Sequence, residues 1–534
     1  MPKGLLNIVL HAHLPYVRHP EYDSFFEENW LFEAITESYI PLIGVMDRLY
    51  EDKVNYRLTL SLSPTLIAML GDELLNARYL RYLQQRLELS EKEILRTQQT
   101  LGHQKLAQWY RHFFQNTLAT YQNQYQGDLL SAFKKHHKSG HLELITTAAT
   151  HGFLPALSAS ETAIRNQINI GIASFKTHLG IAPSGFWLPE CAYYPGLENL
   201  LADAGIDYFF VDTHAILNAS TTPKNGVYAP LHCSNGVAAF GRDPESSQQV
   251  WSAQEGYPGD LDYREYYSDI GFELDIDYLA PYILDGHTRI NTGIKYHRVT
   301  GKQGTKAIYD PNQAAAKAQQ HAQDFINKRQ QQIDALSSIL DRPPIIVAPY
   351  DAELFGHWWF EGPIWLEQVL RLASDDCKSV QTASCSDYLN SQTNGQIATP
   401  SASTWGDQGY SSYWINEEND WIYPYLHKAE EEMEKLVADL HGLAVNPLQE
   451  RALNQAARSI LLAQASDWPF ILKSGTTRDY ARKRITDFIA RFNYLHDSIR
   501  KNNINEKYLT ALETMDNIFP AINFRDYIAS TSSL

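Results

Sequence analysis

Along the first two-thirds of the chain, short unbroken apolar runs alternate with longer stretches whose apolar residues recur at helical spacing. The runs are LLNIVL (5–10), YRLTLSL (56–62), LELITT (142–147), GFWL (185–188), YFFVD (208–212), GVAAF (236–240) and IIVAPY (345–350). Runs that are apolar, β-branched or aromatic at successive positions predict strands buried on both faces, as in a parallel sheet. Between them, the spacing predicts a helix from Leu31 to Leu49. Ser63-Pro64 predicts an N-cap followed by proline in the first helical turn. Ser160 opens a helical pattern that runs to His178, and Gly180 is placed to close it. Strand–helix alternation of this length predicts an α/β fold, a parallel barrel.

Two regions leave that rhythm. Residues 72–140 are polar, rich in Gln, Leu and Arg, and nearly free of Gly and Pro. They predict a helical insertion, which leaves the barrel to residues 1–71 and 141–400. Beyond about 410 the strand signals stop, and helical runs such as YLHKAEEEMEKLVADLHG and PLQERALNQAARSILLAQAS follow. Residues 401–534 are therefore read as a helical C-terminal domain, with SQTNGQIATPSAST (391–404) as its connector.

Composition narrows the function. The net charge of −17 over 534 residues disfavours nucleic acid and anionic membrane surfaces, both of which need clustered Lys and Arg. A neutral, hydroxyl-rich ligand is not repelled. The 11 Trp and 32 Tyr suit a site that stacks on flat apolar faces and hydrogen-bonds at their edges, as sugars require. The four cysteines, Cys191, Cys233, Cys377 and Cys385, contain no CxxC pair and fit a reducing compartment. No run reaches the roughly 18 apolar residues of a membrane span. The expectation is a cytoplasmic, soluble protein.

The chemistry collects immediately after the predicted strands. LLNIVL leads to His11 and His13, LELITT to His151, GFWL to Glu190, GVAAF to Arg242 and Asp243, and IIVAPY to Asp351 and Glu353. In a parallel barrel these ends converge on one face, where active sites form. Glu190 and Asp351 emerge from apolar strands, so both carboxylates are expected to be partly desolvated. A carboxylate pair on one barrel face is the minimum equipment for glycoside chemistry, with one attacking the anomeric carbon and the other protonating the leaving oxygen. Glu353, two residues past Asp351, points the other way if the strand continues. The histidines admit three readings: contacts to sugar hydroxyls, metal ligands, or structural hydrogen bonds to backbone. No HExxH or similarly dense ligand motif accompanies them, which favours the sugar reading.

Trp405 and Trp414 lie in the loop TWGDQGYSSYWINEENDW and are candidates for stacking on sugar rings. Asp467, in SDWPF, is placed to reach the cleft, while Trp468 beside it packs a domain interface. The polar loop 241–267 has the length of a lid over an active face.

Together HAHLPYVRHP, GHLELITTAATHGFLPAL, GFWLPECAYYPGL, APYDAELFGHWWFEGP and WGDQGYSSYWINEENDWIYPYL resemble glycoside hydrolase family 57, and within it the 1,4-α-glucan branching enzymes. The resemblance spans about 11–425, and SDWPF extends it further. It implies an incomplete parallel (β/α)7 barrel with an inserted helical subdomain and a helical C-terminal domain. It implies Glu190 as nucleophile and Asp351 as general acid/base, with His11, His13, His151, Arg264, Trp405, Trp414 and Asp467 around the sugar subsites. It implies no metal or other cofactor, and an α-glucan such as amylose, amylopectin or glycogen as partner. It also implies a mobile loop whose tyrosine favours transfer over hydrolysis; Tyr257, within 241–262, is the candidate. Rival readings are an α-amylase or 4-α-glucanotransferase of the same family, a metal-dependent polysaccharide deacetylase, and a non-catalytic glucan-binding protein.

Overall fold

A computed structural model of the chain describes residues 3–252, 255–300, 306–374, 380–392 and 394–528. Among the described residues ten strands form: β1 (Gly4–Ala12), β2 (Leu58–Leu62), β3 (Leu142–Thr147), β4 (Gly185–Trp187), β5 (Tyr208–Val211), β6 (Leu231–His232), β7 (Ala238–Gly241), β8 (Ile345–Asp351), β9 (Val380–Thr382) and β10 (Gln396–Ile397). Each of the seven apolar runs supplies one of them. They lie side by side in the order β7-β5-β4-β3-β2-β1-β8, all parallel. The barrel is incomplete. Its two ends are tied by backbone hydrogen bonds, Asp243 N–H to Val347 O at 2.8 Å and Ile345 N–H to Tyr228 O at 2.9 Å. The three further strands, each of two or three residues, extend the margins; β9 pairs with the start of β1, and β10 with β6.

Alternate residues of the strands do different work, as the two-residue period dictates. Val9, Ile145, Trp187, Phe210, Phe240 and Val347 form an interior cluster from six strands. Leu6, Ile8, Leu10, Leu60, Leu144 and Phe186 belong to the larger cluster that extends outward into the helices. The helix Glu161–Leu179 begins where expected, with the Ser160 hydroxyl accepting from Ala163 N–H, and ends at Gly180 in the left-handed conformation. Ser63 caps the helix Pro64–Leu70 in the same way. The expected helix from Leu31 to Leu49 is interrupted by a π-turn, Ile35–Tyr39. That turn sends Tyr39 to the carboxylate of Glu353 and Glu37 to Arg264. Such insertions recur at functional sites.

The chain between β2 and β3 is helical, with Glu73–Arg96, Leu101–Ala119 and Leu129–Lys138 as its main helices. Beyond residue 420 the structure is again helical. One short segment of that region, between the helices Pro447–Ala463 and Asp467–Ser474, enters the strand-end face of the barrel. There Ser466 N–H donates to His151 O at 2.9 Å, and Gln167 Nε2 donates to Gln464 Oε1 at 2.7 Å. Residues 391–404 are more than a connector. They include β10, and Ser403 exchanges backbone hydrogen bonds with Tyr193. No helix among the described residues is long and apolar enough to cross a membrane.

The helix Glu161–Leu179 approaches β3 through Gly171, where an added Cβ would lie 2.5 Å from Thr147 O and 2.9 Å from Ala149 N. Both are backbone atoms of the segment leading to His151, and they cannot swing aside. Gly171→Ala is expected to destabilise the protein by about 1–3 kcal/mol, as overpacking does. A Cβ at Gly71 meets nothing closer than 3.6 Å, so Gly71→Ala is the control. Thermal melting followed by circular dichroism checks the pair, and an unchanged midpoint for Gly171→Ala would contradict this packing.

Candidate active site

Parallel pairing brings the strand ends to one level. His11 of β1 is in register with Asp351 of β8 on one side and Ser61 of β2 on the other. Of the ten residues given catalytic, lid or sugar-subsite roles from the sequence, eight line one cavity of about 660 Å³ at this face: His11, His13, His151, Glu190, Asp351, Trp405, Trp414 and Asp467.

Glu190 sits in a tight turn after β4. Glu190 and Cys191 both have left-handed backbone, with φ of 63° and 49°. For side-chain-bearing residues this conformation costs energy and marks positions held by their surroundings. The surroundings are explicit. Trp405 Nε1–H donates to Glu190 Oε2 at 2.8 Å, and the Ser466 hydroxyl donates to Oε1 at 2.8 Å. Burial pushes the Glu190 carboxyl up to about 7, against the pull of those two bonds. Asp351 goes further. Burial, then the nearby carboxylates Glu353 and Glu190, hold it well above the usual carboxylate range. Glu353 lines the same cavity and is also raised to about 7 by burial. Its Oε1 accepts from the Tyr39 hydroxyl and from His13 N–H.

The histidines form a directed chain. Burial keeps both His11 and His151 far below the ordinary histidine value, so both are neutral. Their Nε2 atoms are 3.0 Å apart, and only one can carry the shared proton. His151 Nδ1 lies 2.7 Å from Ser466 Oγ, whose proton goes to Glu190. His151 Nδ1 must therefore be the protonated atom, its Nε2 accepts from His11 Nε2–H, and His11 Nδ1 accepts from the Ser61 hydroxyl at 3.1 Å. The sequence Ser61, His11, His151, Ser466, Glu190 thus points every proton toward the carboxylate. His13 differs. Burial opposes its charge, but Asp467, Glu190 and Glu353 outweigh it and raise its pKa. Its Nε2 lies 3.1 Å from both oxygens of Asp467.

His13, His151 and Asp467 bring ligand-type atoms within 4.8 Å of one another. Their two imidazoles are stacked, centroids 3.9 Å apart and 18° from parallel. In-plane lone pairs of stacked rings run side by side and do not converge, so this set suits hydrogen bonds to a polyol better than a tetrahedral ion.

Two sequence-derived candidates lie elsewhere. Tyr257 is buried, donates its hydroxyl to Asp324 at 2.8 Å and stacks on His321. It anchors the foot of its loop against the helix Pro311–Leu336. Residues 253–254 of that loop lie outside the described residues. Arg264 is buried in an ion pair with Glu37, 2.9 Å apart, with its guanidinium over Phe360. It supports the π-turn and does not line the cavity. Trp414 is only 2% exposed, stacked on Phe153 with the ring of Phe470 tilted against it. It shapes the wall and offers no open face. The open indoles at the cavity are Trp251 and Trp358, 39% and 51% exposed. Neither was singled out from the sequence, nor was Ser466. Trp358 adjoins the buried Trp359, and pattern alone does not tell such neighbours apart.

Comparison with known proteins bears on this geometry. The model of the family described as glycosyl hydrolase family 57 matches residues 7–400, and that described as 1,4-alpha-glucan branching enzyme, C-terminal, matches residues 425–527. The 1,4-alpha-glucan branching enzyme TK1436 of Thermococcus kodakarensis is 33% identical, over 99% of this chain and 79% of its own. The alpha-amylase AmyC from Thermotoga maritima is 43% identical with a TM-score of 0.92, covering 99% of this chain and 100% of that one. The GH57-type branching enzyme of Pyrococcus horikoshii is 33% identical with a TM-score of 0.89, covering 100% and 98%. Sequence and architecture agree over nearly the whole chain, and the chain belongs to glycoside hydrolase family 57.

Proposed function

We propose that the protein is a 1,4-α-glucan branching enzyme that works by double displacement. The observation that carries the chemistry is the pair Glu190 and Asp351, both desolvated and facing one cavity with different proton affinities. Asp351, held well above the usual carboxylate range by burial and two neighbouring carboxylates, donates its proton to the glycosidic oxygen. Glu190, with both oxygens hydrogen-bonded, is the carboxylate that ionises and attacks C1. The cut chain stays on Glu190 as a glycosyl ester. Asp351, now ionised, takes the proton from the C6 hydroxyl of an acceptor glucan, and an α-1,6 branch forms with net retention. Neutral His11 and His151, together with His13 and Asp467, offer donors and acceptors to the hydroxyls of the reacting sugar. The substrates on this reading are amylose, amylopectin and glycogen-type glucans.

Transfer requires that water lose to the acceptor at the second step. The match of residues 425–527 to the branching-enzyme C-terminal model supports transfer. A second reading, hydrolysis by the same residues, is favoured by the likeness to AmyC. Low cysteine use, with Cys191, Cys233 and Cys385 as buried thiols, supports a reducing, cytoplasmic setting.

Incubation with amylose separates the two readings. Branching predicts new chains released by isoamylase, with few new reducing ends; an amylase produces reducing ends in step with cleavage and nothing for isoamylase to cut. The ionisation of Glu190 sets the acid limb of kcat/KM. Activity is expected to fall as pH drops through about 7, where Glu190 gains its proton. Ser466→Ala removes a hydrogen bond to the ionised form, which raises the pKa, so that limb should move to higher pH by about one unit. A pH–rate profile of Ser466→Ala superimposable on that of the wild type would contradict the role of Ser466.

A further inference from the structure

The catalytic cavity has a neighbour at the same end of the barrel. A second cavity of about 350 Å³ is lined by Asp212, Thr213, Arg242, Ser247, Gln248 and Trp251, among others. Asp212 follows β5 and Arg242 follows β7, so this cavity continues the strand-end face sideways from Glu190 and Asp351. Arg242 and Trp251 line both cavities. Trp251 stands between them, its ring edge-on to Trp405 at 6.3 Å and 77°.

The lining has a definite chemistry. Arg242 Nε donates to Ser247 Oγ at 2.8 Å and Nη1 to Asp212 Oδ2 at 3.3 Å. These two bonds fix the guanidinium and use two of its five N–H donors. Asp212 is held in turn by Thr213 N–H at 2.6 Å and lies 3.3 Å from His214 Nδ1. A rigid guanidinium–carboxylate pair presents donors and acceptors side by side, which matches the vicinal hydroxyls of a pyranose. The partly exposed indole of Trp251 matches its apolar face. An anion would meet Asp212 and a cation would meet Arg242, so a neutral carbohydrate fits best.

We propose that this second cavity is a distal subsite for the glucan chain being cut, which passes from the catalytic cavity across Trp251 and lies against Asp212, Arg242 and Gln248. The inference rests on the reading of the protein as an α-glucan-active enzyme and adds where the distant part of the donor chain binds. It holds equally for branching and for hydrolysis, since both begin with the same cleavage. Binding energy from remote sugars is available to the reacting centre only if the enzyme contacts them, and this cavity provides those contacts.

The test is the chain-length dependence of cleavage. Rates are measured on linear maltodextrins from three glucosyl units upward and on amylose, with wild type, Gln248→Ala and Asp212→Asn. Gln248 is exposed and lines only the second cavity, and melting temperatures confirm folding of both variants. The expected loss in kcat/KM grows with chain length and reaches about tenfold on the longest substrates for each variant, the effect of a hydrogen bond to a sugar hydroxyl. A loss equal at all lengths overturns the subsite. So does a loss confined to transfer, with cleavage untouched, because that would place the acceptor in this cavity. A wild-type enzyme that cuts no α-1,4-glucan of any length overturns the underlying reading and the subsite with it.

Discussion

Everything at the site depends on how the Glu190 carboxylate is held. Glu190 is carried by β4 of the barrel, yet both hydrogen bonds to its oxygens come from beyond residue 400, one from Trp405 and one from Ser466. The turn that presents it is strained at two successive residues, and left-handed backbone at a non-glycine position persists only where packing over-determines it. The barrel supplies the position and the later chain supplies the clamp. The site is therefore complete only when the segment between the helices Pro447–Ala463 and Asp467–Ser474 is seated on the strand ends. Gln167 and His151 are the barrel groups that receive it, and Thr150 holds the end of the preceding helix through Leu461 O.

That arrangement also explains the spread of protonation states within one small cavity. Burial raises Glu190, Glu353 and Asp351 and lowers His11 and His151, all by the same desolvation. What distinguishes the groups is their partners. Glu190 has two donors, Asp351 has two neighbouring carboxylates, and His13 has Asp467. One buried carboxyl is thereby inclined to ionise and another to keep its proton, the division of labour that double displacement requires. The π-turn Ile35–Tyr39 belongs to the same design. It delivers Tyr39 to Glu353, which fixes one of the charges that set Asp351.

Much of this was legible in the sequence because burial leaves a pattern. The strands covered on both faces are near-continuous apolar runs, and five of the seven lead within a few residues to a polar side chain that lines the cavity. The margins were not legible, since strands of two residues such as β6 and β10 have no period to detect. The candidate site divided along similar lines. Residues fixed by a strand end (His11, Glu190, Asp351) follow from the fold class. Residues brought by long-range docking do not: Ser466 is one serine among many until the chain folds. Tyr257 and Arg264 lie off the cavity for a physical reason. Both sit in a polar loop that looks exposed, but Tyr257 finds Asp324 and Arg264 finds Glu37, and both turn inward. Trp251, in the same loop, stays open at the cavity.

On the proposed reading, the likeness to a branching enzyme and to an amylase has a simple basis, because branching and hydrolysis begin with the same cleavage. The central claim is thus that Glu190 forms the covalent bond to the sugar. It is tested most directly by trapping the intermediate with a 2-deoxy-2-fluoro-α-maltosyl fluoride or a 5-fluoro analogue, digesting the protein and locating the adduct by mass spectrometry. The account predicts one glycosylated peptide, modified at Glu190. An adduct on Asp351, Glu353 or Asp467 instead, with Glu190 unmodified, would contradict it.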